Sequence, residues 1–153
     1  MRWLETKIPP PIVMLLLGMA AWGAARVLPD LSFALPQPAL IAACLALAGV
    51  VLNVLPKLAF QRAGTTVNPL RPQLSSQLVT SGVYRHTRNP MYLGQAVILL
   101  GWALYLHNAA ALLAVPALVL YITRFQIQPE ERHLAARFGE AYAAFRTQVA
   151  RWL

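Results

Sequence analysis

The decisive stretch of this sequence reads GVYRHTRNPMYLG from Gly82 to Gly94. It sets two arginines, a histidine, an asparagine and two tyrosines directly before a long apolar run that begins near Met91. Cationic and polar side chains at the mouth of a membrane helix are costly to bury, and they mark functional sites in such proteins. We therefore expect a binding site for an anionic group at the membrane surface. A second polar cluster, QPEERH from Gln128 to His133, closes the next apolar run and brackets the same helical hairpin.

The composition indicates a small integral membrane protein. Of its 153 residues, 58% are hydrophobic and 12% are charged, whereas a soluble domain carries about 25% charged residues. The length predicts a single domain over residues 1–153. The only cysteine, Cys44, lies in an apolar run, which excludes a disulfide within the chain and disfavours a metal–thiolate site. Because the histidines and carboxylates show no metal-ligand spacing, no bound metal is expected.

The apolar segments predict an all-α membrane fold with four transmembrane helices. A helix needs about 20 apolar residues to cross a hydrocarbon core of ~30 Å. The predicted spans are residues 8–28, 38–56, 90–107 and 109–127. Pro56 and Pro116 lie at or inside spans and are expected to end or kink them. A cleaved signal peptide at the N-terminus is a second interpretation, but three consecutive prolines, Pro9 to Pro11, interrupt its expected pattern.

Two further elements complete the predicted fold. The cytoplasmic loop over residues 57–89 is too long for a simple connector, and we interpret it as a lid. Over residues 129–151, apolar side chains recur every three or four positions, which predicts an amphipathic helix lying along the membrane interface. Pro129 suits the first turn of this C-terminal helix, and Glu130 and Glu131 suit the positive end of its dipole.

The basic residues are distributed unevenly between the predicted loops. Lysine and arginine fill the 57–89 loop and the C-terminal segment, whereas residues 29–37 and the turn at 107–108 contain neither. This positive-inside pattern predicts that both termini are cytoplasmic. Orientation and anionic membrane lipid then explain the net charge of +8, so no nucleic-acid partner is expected. The compact, Ala- and Leu-rich spans indicate a bacterial inner membrane.

The Gly82–Gly94 stretch has the chemistry of an anion site. Asn89 and Pro90 predict the cap and the first residue of the third span. The amide groups freed at that helix start, together with Arg85 and Arg88, suit a bound anion. A guanidinium binds two oxygens of a carboxylate or phosphate at once. The alternative is that both arginines only reach lipid phosphates and mark the end of the span.

The remaining polar residues also have two interpretations. Glu130 and Glu131 either stabilise a helix start or accept hydrogen bonds from an ammonium or hydroxyl group of a ligand. His86 and His133 are isolated in the sequence and are interpreted as interfacial side chains. His86 stays a minor candidate for a proton acceptor.

The ordered series of these motifs resembles a known family. Its pieces are Gly82-x-Tyr84-x-x-x-Arg88-Asn89-Pro90-x-Tyr92, Glu130-Glu131-x-x-Leu134, Phe138-Gly139-x-x-Tyr142 and Val149-x-Arg151-Trp152. Together they are similar to the isoprenylcysteine carboxyl methyltransferase and phospholipid methyltransferase superfamily. The similarity extends roughly from residue 64 to the C-terminus, and its strength is the order of the pieces, since each alone is weak.

The resemblance implies an integral membrane methyltransferase that uses S-adenosylmethionine, without metal, on a lipophilic acceptor. The cofactor-binding residues that it implies are Val83, Tyr84, Arg88, Asn89, Pro90, Tyr92, Glu130 and Glu131. Arg88 and Glu131 are also the predicted catalytic residues. Many family members have histidine at the position of Asn89, and an asparagine cannot act as a base near neutral pH.

The acceptor and two other functions stay open at this point. A prenyl-cysteine-like carboxylate, a phospholipid amine and a small hydrophobic thiol or amine are all candidate acceptors. A sterol-reductase-like enzyme using NADPH ends in a similar Arg-x-Pro and acidic-aromatic region, although such chains are much longer. A non-catalytic membrane module would bind a nucleotide-like ligand or a partner without turnover. The oligomeric state is equally open.

Overall fold

The computed structural model of the protein describes residues 5–62 and 78–153, most of which are helical. Within these two ranges the structure has six α-helices: α1 (Pro10–Val27), α2 (Pro38–Arg62), α3 (Pro90–Tyr105), α4 (Ala109–Leu112), α5 (Ala114–Ile122) and α6 (Gln128–Gln148). Short 3-10 turns lie at Pro29–Leu31 and Gly82–Arg85. A π turn at Thr123–Ile127 joins α5 to α6.

Three helical segments of the described part are long and apolar enough to cross a membrane. They are Pro10–Val27, Pro38–Ala59 and the stretch Ala109–Gln148. These segments confirm, for the described residues, the prediction of a helical fold with helices able to span a membrane. α3 is also apolar, but its 16 residues extend only about 24 Å at 1.5 Å per residue. The count of four spans therefore stays a prediction.

The helix boundaries near the prolines differ in part from the prediction. α2 continues through the buried Pro56 to Arg62, so Pro56 does not end this helix, and the bounds of the second span stay a prediction. Residues 57–62 are helix rather than loop, and residues 63–77 of the predicted lid lie outside the described residues. Pro116 lies just after the break at Leu113 that separates α4 from α5. Because proline has no N–H to bond the carbonyl four residues earlier, a break at this place is expected.

The predicted C-terminal helix corresponds to α6, but nothing separates it from the preceding span. The π turn carries the helix directly from α5 into α6, so that the helical stretch runs for 40 residues. The interruption comes later, at Gly139, whose φ of 50° and ψ of −122° are non-helical and favour glycine. The interfacial position of α6 stays a prediction.

The helices pack around small residues and a narrow apolar core. A Cβ atom added to Gly94 would lie 2.6 Å from the carbonyl oxygen of Gly49, so α2 and α3 approach to backbone contact. Side chains from α1, α3 and α5 fill the core, including Val13, Leu99 and Leu118. The outward faces of α1 and α2 carry large exposed apolar side chains, as lipid-facing helices do.

An N-terminal segment, Glu5 to Ile8, lies across the π turn. The N–H of Thr6 donates to the carbonyl oxygen of Phe125 at 2.9 Å, and Nε2 of Gln126 donates to the carbonyl oxygen of Ile8 at 2.8 Å. The Glu5 carboxylate pairs with Arg124 at 2.9 Å and also with Arg132. These bonds fix the start of α1 against the α5–α6 junction, directly before the acidic pair of α6.

Candidate functional site

The segment before α3 turns its polar residues alternately inward and outward. Gly82 has a φ of +64°, which favours glycine, and it opens the 3-10 turn Gly82–Arg85. This turn buries Tyr84, whereas Arg85 and His86 are exposed. Thr87 is again buried, at 1% exposure. Of the two arginines in the stretch, only Arg88 points into the protein.

Arg88 and Glu131 form a nearly buried ion pair between the start of α3 and the start of α6. Nη1 of Arg88 lies 2.9 Å from Oε1 of Glu131, and the two side chains are 10% and 11% exposed. The same guanidinium nitrogen also contacts the hydroxyl of Tyr142 at 3.4 Å. The Nε atom of Arg88 is buried and has no hydrogen-bond partner among the described residues.

Arg151 is a second cation on the same carboxylate. Its Nε donates to Oε1 of Glu131 at 3.0 Å, and its Nη2 donates to Oε2 at 2.7 Å. This two-pronged contact is the strongest geometry for a guanidinium and a carboxylate. The hydrogen bond to Glu131 raises the pKa of Arg151. Glu131 is therefore held by two arginines from opposite ends of the described range 78–153.

The backbone of the last residues binds the segment before α3. The N–H of Arg88 donates to the carbonyl oxygen of Ala150 at 3.1 Å. Nδ2 of Asn89 donates to the carbonyl oxygen of Arg151 at 2.9 Å, and the Thr87 hydroxyl lies 3.3 Å from the same oxygen. The backbone of Ala150 and Arg151 thus closes one side of the site.

Asn89 occupies the predicted position but does not make the predicted capping bond. Its carbonyl oxygen accepts the N–H of Leu93, as expected for the residue before α3. Its side chain, however, makes no cap hydrogen bond, because the amide is directed to Arg151. The prediction that Asn89 is the N-cap residue and Pro90 the first residue of α3 is confirmed, but the Asn89 side chain makes no capping bond.

Glu130 faces α3 instead of the arginines. The Tyr92 hydroxyl donates to Oε1 of Glu130 at 2.5 Å. Burial, and then the negative charge of Glu130, raises the pKa of Tyr84 well above its ordinary value. Two tyrosines and one carboxylate therefore lie close together next to the Arg88–Glu131 pair.

The structure gathers most of the sequence-predicted site residues at one end of α3 and α6. Tyr84, Arg88, Asn89, Tyr92 and both glutamates surround this place, and Pro90 is buried at the first turn of α3. Val83 instead packs against the apolar cluster of Tyr142, Phe145 and Val149. The difference from the prediction is that Arg88 and Glu131 bind each other, whereas each was expected to bind an opposite group of a ligand.

Sequence reasoning missed three residues that complete this arrangement. Arg151 was counted with the cytoplasmic positive charges, and Tyr142 with the apolar stripe of the C-terminal helix. No sequence pattern indicated a role for Thr87. Signals for Arg151 and Tyr142 did exist, since they belong to the Val149-x-Arg151-Trp152 and Phe138-Gly139-x-x-Tyr142 pieces of the family resemblance.

Comparison with known proteins identifies the family. A family profile described as phospholipid methyltransferase matches residues 38–141. The chain belongs to this family. The match confirms the resemblance found in the sequence, and it includes α2, α3, α5 and the acidic pair of α6. No solved structure matches the chain.

Two relatives show how far the family likeness extends. Over 72 residues, the chain is 32% identical to protein-S-isoprenylcysteine O-methyltransferase of Schizosaccharomyces pombe. The matched region covers 47% of this chain but only 30% of that protein. Over 63 residues, it is 44% identical to an uncharacterized protein of Haemophilus influenzae, and this match covers 41% of the chain and all of the relative. These findings establish the general class of the chain. It belongs to a methyltransferase family and has helices able to span a membrane.

Proposed function

We propose that this protein is a membrane-embedded methyltransferase that takes the methyl group from S-adenosylmethionine and gives it to a lipophilic acceptor. The observation that carries the proposal is the site at the starts of α3 and α6 in a chain of this family. There, Arg88, Glu130 and Glu131 converge with Tyr84 and Tyr92 in a largely buried place. Such clusters of charge at a membrane helix end mark ligand sites.

The residues present fit the chemical groups of the methyl donor. S-adenosylmethionine supplies an activated methyl group on a positively charged sulfonium. The free Nε–H of Arg88 suits its carboxylate, because a buried guanidinium N–H without a partner is a ready donor. Glu130 suits its ammonium or ribose hydroxyls, and Tyr84 and Tyr92 offer aromatic faces for the adenine.

Glu131 has a different role in this proposal. Its two oxygens are already occupied by Arg88 and Arg151, so it positions Arg88 and leaves Glu130 as the carboxylate for the ligand. Methyl transfer mainly requires alignment of the reacting atoms in a site that excludes water. A rigid ion-pair frame with few exposed polar atoms supplies that alignment.

A lipophilic acceptor is supported by the surface next to the site. A groove of about 420 Å³ runs between α1 and α3, and its lining includes Met14, Trp22, Ile98 and Trp102. On α3 the groove is lined by Ile98, Leu99 and Trp102, which lie about 9–15 Å along the helix axis from Tyr92. The positive-inside pattern of the sequence supports a cytoplasmic location for the site and for both termini.

Calorimetric binding of S-adenosylmethionine to the purified protein in detergent tests the proposal, with NADPH as a control ligand. We expect binding of the former alone. The Arg88→Ala variant should weaken it by about 1.5–3 kcal/mol, the range for a hydrogen bond to a charged group. Arg85→Ala is the matched control, because Arg85 is exposed one turn earlier. Binding of NADPH would favour the reductase-like function, and binding of neither would refute the methyltransferase proposal.

A further inference from the structure

A second cavity lies at the end of α3 that is opposite to the candidate site. Its volume is about 480 Å³, and its lining includes Trp22, Arg26, Tyr105 and His107. Tyr105 is the last residue of α3, whereas Arg88 comes shortly before the helix starts. The 16 residues of α3 put about 24 Å between its two ends. This cavity is therefore separate from the place where Arg88 and the glutamates converge.

The cavity adjoins the apolar groove between α1 and α3, because Trp22 lines both of them. Gly18 leaves the groove open by having no side chain. Nε1 of Trp102 donates to the carbonyl oxygen of Gly18 at 3.0 Å and fixes the wall. From Met14 to Trp22 the groove extends about 12 Å along α1, which is close to half of a ~30 Å hydrocarbon core. This length matches one lipid chain from one leaflet of the membrane.

Arg26 is an unusual cation for its position. It lies in the last turn of α1, and the following loop of residues 29–37 contains no lysine or arginine. The positive-inside pattern disfavours a cation at this end of the helix. Its guanidinium lies over the ring of Trp22, 5.2 Å from the centroid, and none of the ion pairs found among the described residues includes it. A guanidinium stacked in this way keeps its N–H donors in its own plane, where they suit a phosphate.

His107 supplies a second polar group at the same cavity. Its carbonyl oxygen accepts the N–H of Phe33 at 2.9 Å, and its ring stacks on Phe33 with the centroids 6.4 Å apart. These contacts hold the imidazole, which has at least one N–H donor. No acidic side chain is among the described residues that line the cavity, and Asp30 is exposed in the 3-10 turn after α1. The charged group of the cavity lining is therefore Arg26.

We propose that this end of the protein binds one anionic phospholipid, with its phosphate at Arg26 and His107 and one acyl chain in the groove between α1 and α3. A cation beside an apolar groove matches the two parts of such a lipid. Trp22, Trp102 and Tyr105 are between 38% and 49% exposed, and aromatic residues of this kind are typical of the membrane interface. A zwitterionic headgroup fits less well, because Arg26 repels its ammonium group.

The proposal goes beyond the methyltransferase function and does not depend on it. Tyr105 lies about 20 Å along α3 from Tyr92, so a phospholipid with its phosphate at this cavity is too far from the candidate site to be the methyl acceptor. It enters from the opposite face of the membrane. Because the groove has the length of one chain, this phospholipid and a lipophilic acceptor would compete for it.

Native mass spectrometry of the purified, delipidated full-length protein in detergent tests the proposal. The probe is palmitoyl-oleoyl-phosphatidylglycerol, and palmitoyl-oleoyl-phosphatidylcholine is the zwitterionic control. Arg26→Gln removes the charge, and its matched control is Arg146→Gln, at an exposed position of α6. Gly18→Leu fills the groove from a position where a Cβ atom makes only ordinary contacts of 3.7 Å or more. Its matched control is Gly23→Leu, since a Cβ atom at Gly23 has no neighbour within 4 Å.

We expect each chain to retain one phosphatidylglycerol, with a higher affinity than for phosphatidylcholine. Arg26→Gln should weaken this binding about tenfold, the loss of one hydrogen bond to a charged group. Gly18→Leu should weaken the binding of both lipids, and the two control variants should bind as the wild type does. Because Arg26 is exposed, Arg26→Gln decides the question even if Gly18→Leu does not fold.

Three results would overturn the inference. Equal affinities for the two lipids, or an unchanged affinity in Arg26→Gln, would show that Arg26 does not bind the headgroup. Retention of several lipids without saturation would show only the lipid that surrounds any membrane protein. A dimer mass in place of a lipid adduct would show that a second copy of the chain covers the groove.

Discussion

The ion-pair frame around Glu131 predicts a large stability loss for a nearly isosteric change. In Glu131→Gln the side chain keeps its size, but it loses its charge and turns an NH2 group toward guanidinium donors. Three contacts of 2.7–3.0 Å with Arg88 and Arg151 depend on that charge. Arg88, at 10% exposure, then stays buried without a counter-charge.

The loss of folding stability expected for Glu131→Gln follows from the known range for breaking a buried ion pair. Removing one partner of a buried ion pair costs about 3–5 kcal/mol. The lower end, about 3 kcal/mol, applies here, because Arg151 is one-third exposed and can regain water contacts. For a chain of this length, that loss corresponds to a melting temperature lower by roughly 6–12 °C.

Thermal unfolding of the purified protein in detergent, followed by circular dichroism, measures this difference. Glu140→Gln is the matched control, since Glu140 is an exposed residue of the same helix. We expect its free energy of unfolding to change by less than about 0.5 kcal/mol. If the two variants unfold at the same temperature, the ion-pair frame does not stabilise the site, and the role of Glu131 as a positioning residue is refuted.

Three further predictions concern packing, pH and topology. Gly94→Ala should destabilise the protein by about 1–3 kcal/mol, because the added Cβ atom would clash with the Gly49 carbonyl. Gly23→Ala is the control and should not destabilise it, because a Cβ atom at Gly23 has no neighbour within 4 Å. Equal melting temperatures of the two variants would contradict the close approach of α2 and α3. The hydrogen bond from Arg124 is the main cause that lowers the pKa of Glu5 below its ordinary value of 4.5. Its stabilisation is therefore present above pH 4.5 and lost as the pH falls through the lowered pKa, so thermal unfolding should show the advantage of the wild type over Glu5→Gln disappearing in acid; a pH-independent difference would show that the pair contributes nothing. A reporter fused to the C-terminus should be active in the cytoplasm, and a periplasmic signal would place the candidate site on the wrong side of the membrane.

The sequence predicts the helices well where hydropathy and proline act together. α2 and α3 begin at Pro38 and Pro90, as expected, because proline fits the first turn of a helix. The end of α2 could not be predicted in the same way. Pro56 is buried, and packing around it keeps the helix intact to Arg62. Such tertiary support is not visible in local sequence.

The site was predictable in its residue types and less so in its pairings. Crowded charges before α3 and at the start of α6 pointed to Arg85, Arg88 and the two glutamates, and the family resemblance then singled out Arg88, Glu130 and Glu131. Hydrogen bonds between residues far apart in the chain decided the rest, such as those from the Arg88 N–H to Ala150 and from Asn89 to Arg151. Because a terminal arginine also fits the positive-inside pattern, composition alone could not separate Arg151 from the lipid-facing cations.

The different roles of the two glutamates follow from helix geometry at the α5–α6 junction. Successive residues of an α-helix point about 100° apart, so Glu130 faces Tyr92 while Glu131 faces the arginines. The π turn sets the directions of both glutamate side chains, because its one extra residue rotates α6 relative to α5. The segment Glu5 to Ile8 bonds directly to that turn. The orientation of the acidic pair therefore depends on contacts with residues outside α6, which explains why the sequence of α6 alone could not show which carboxylate pairs with the arginines.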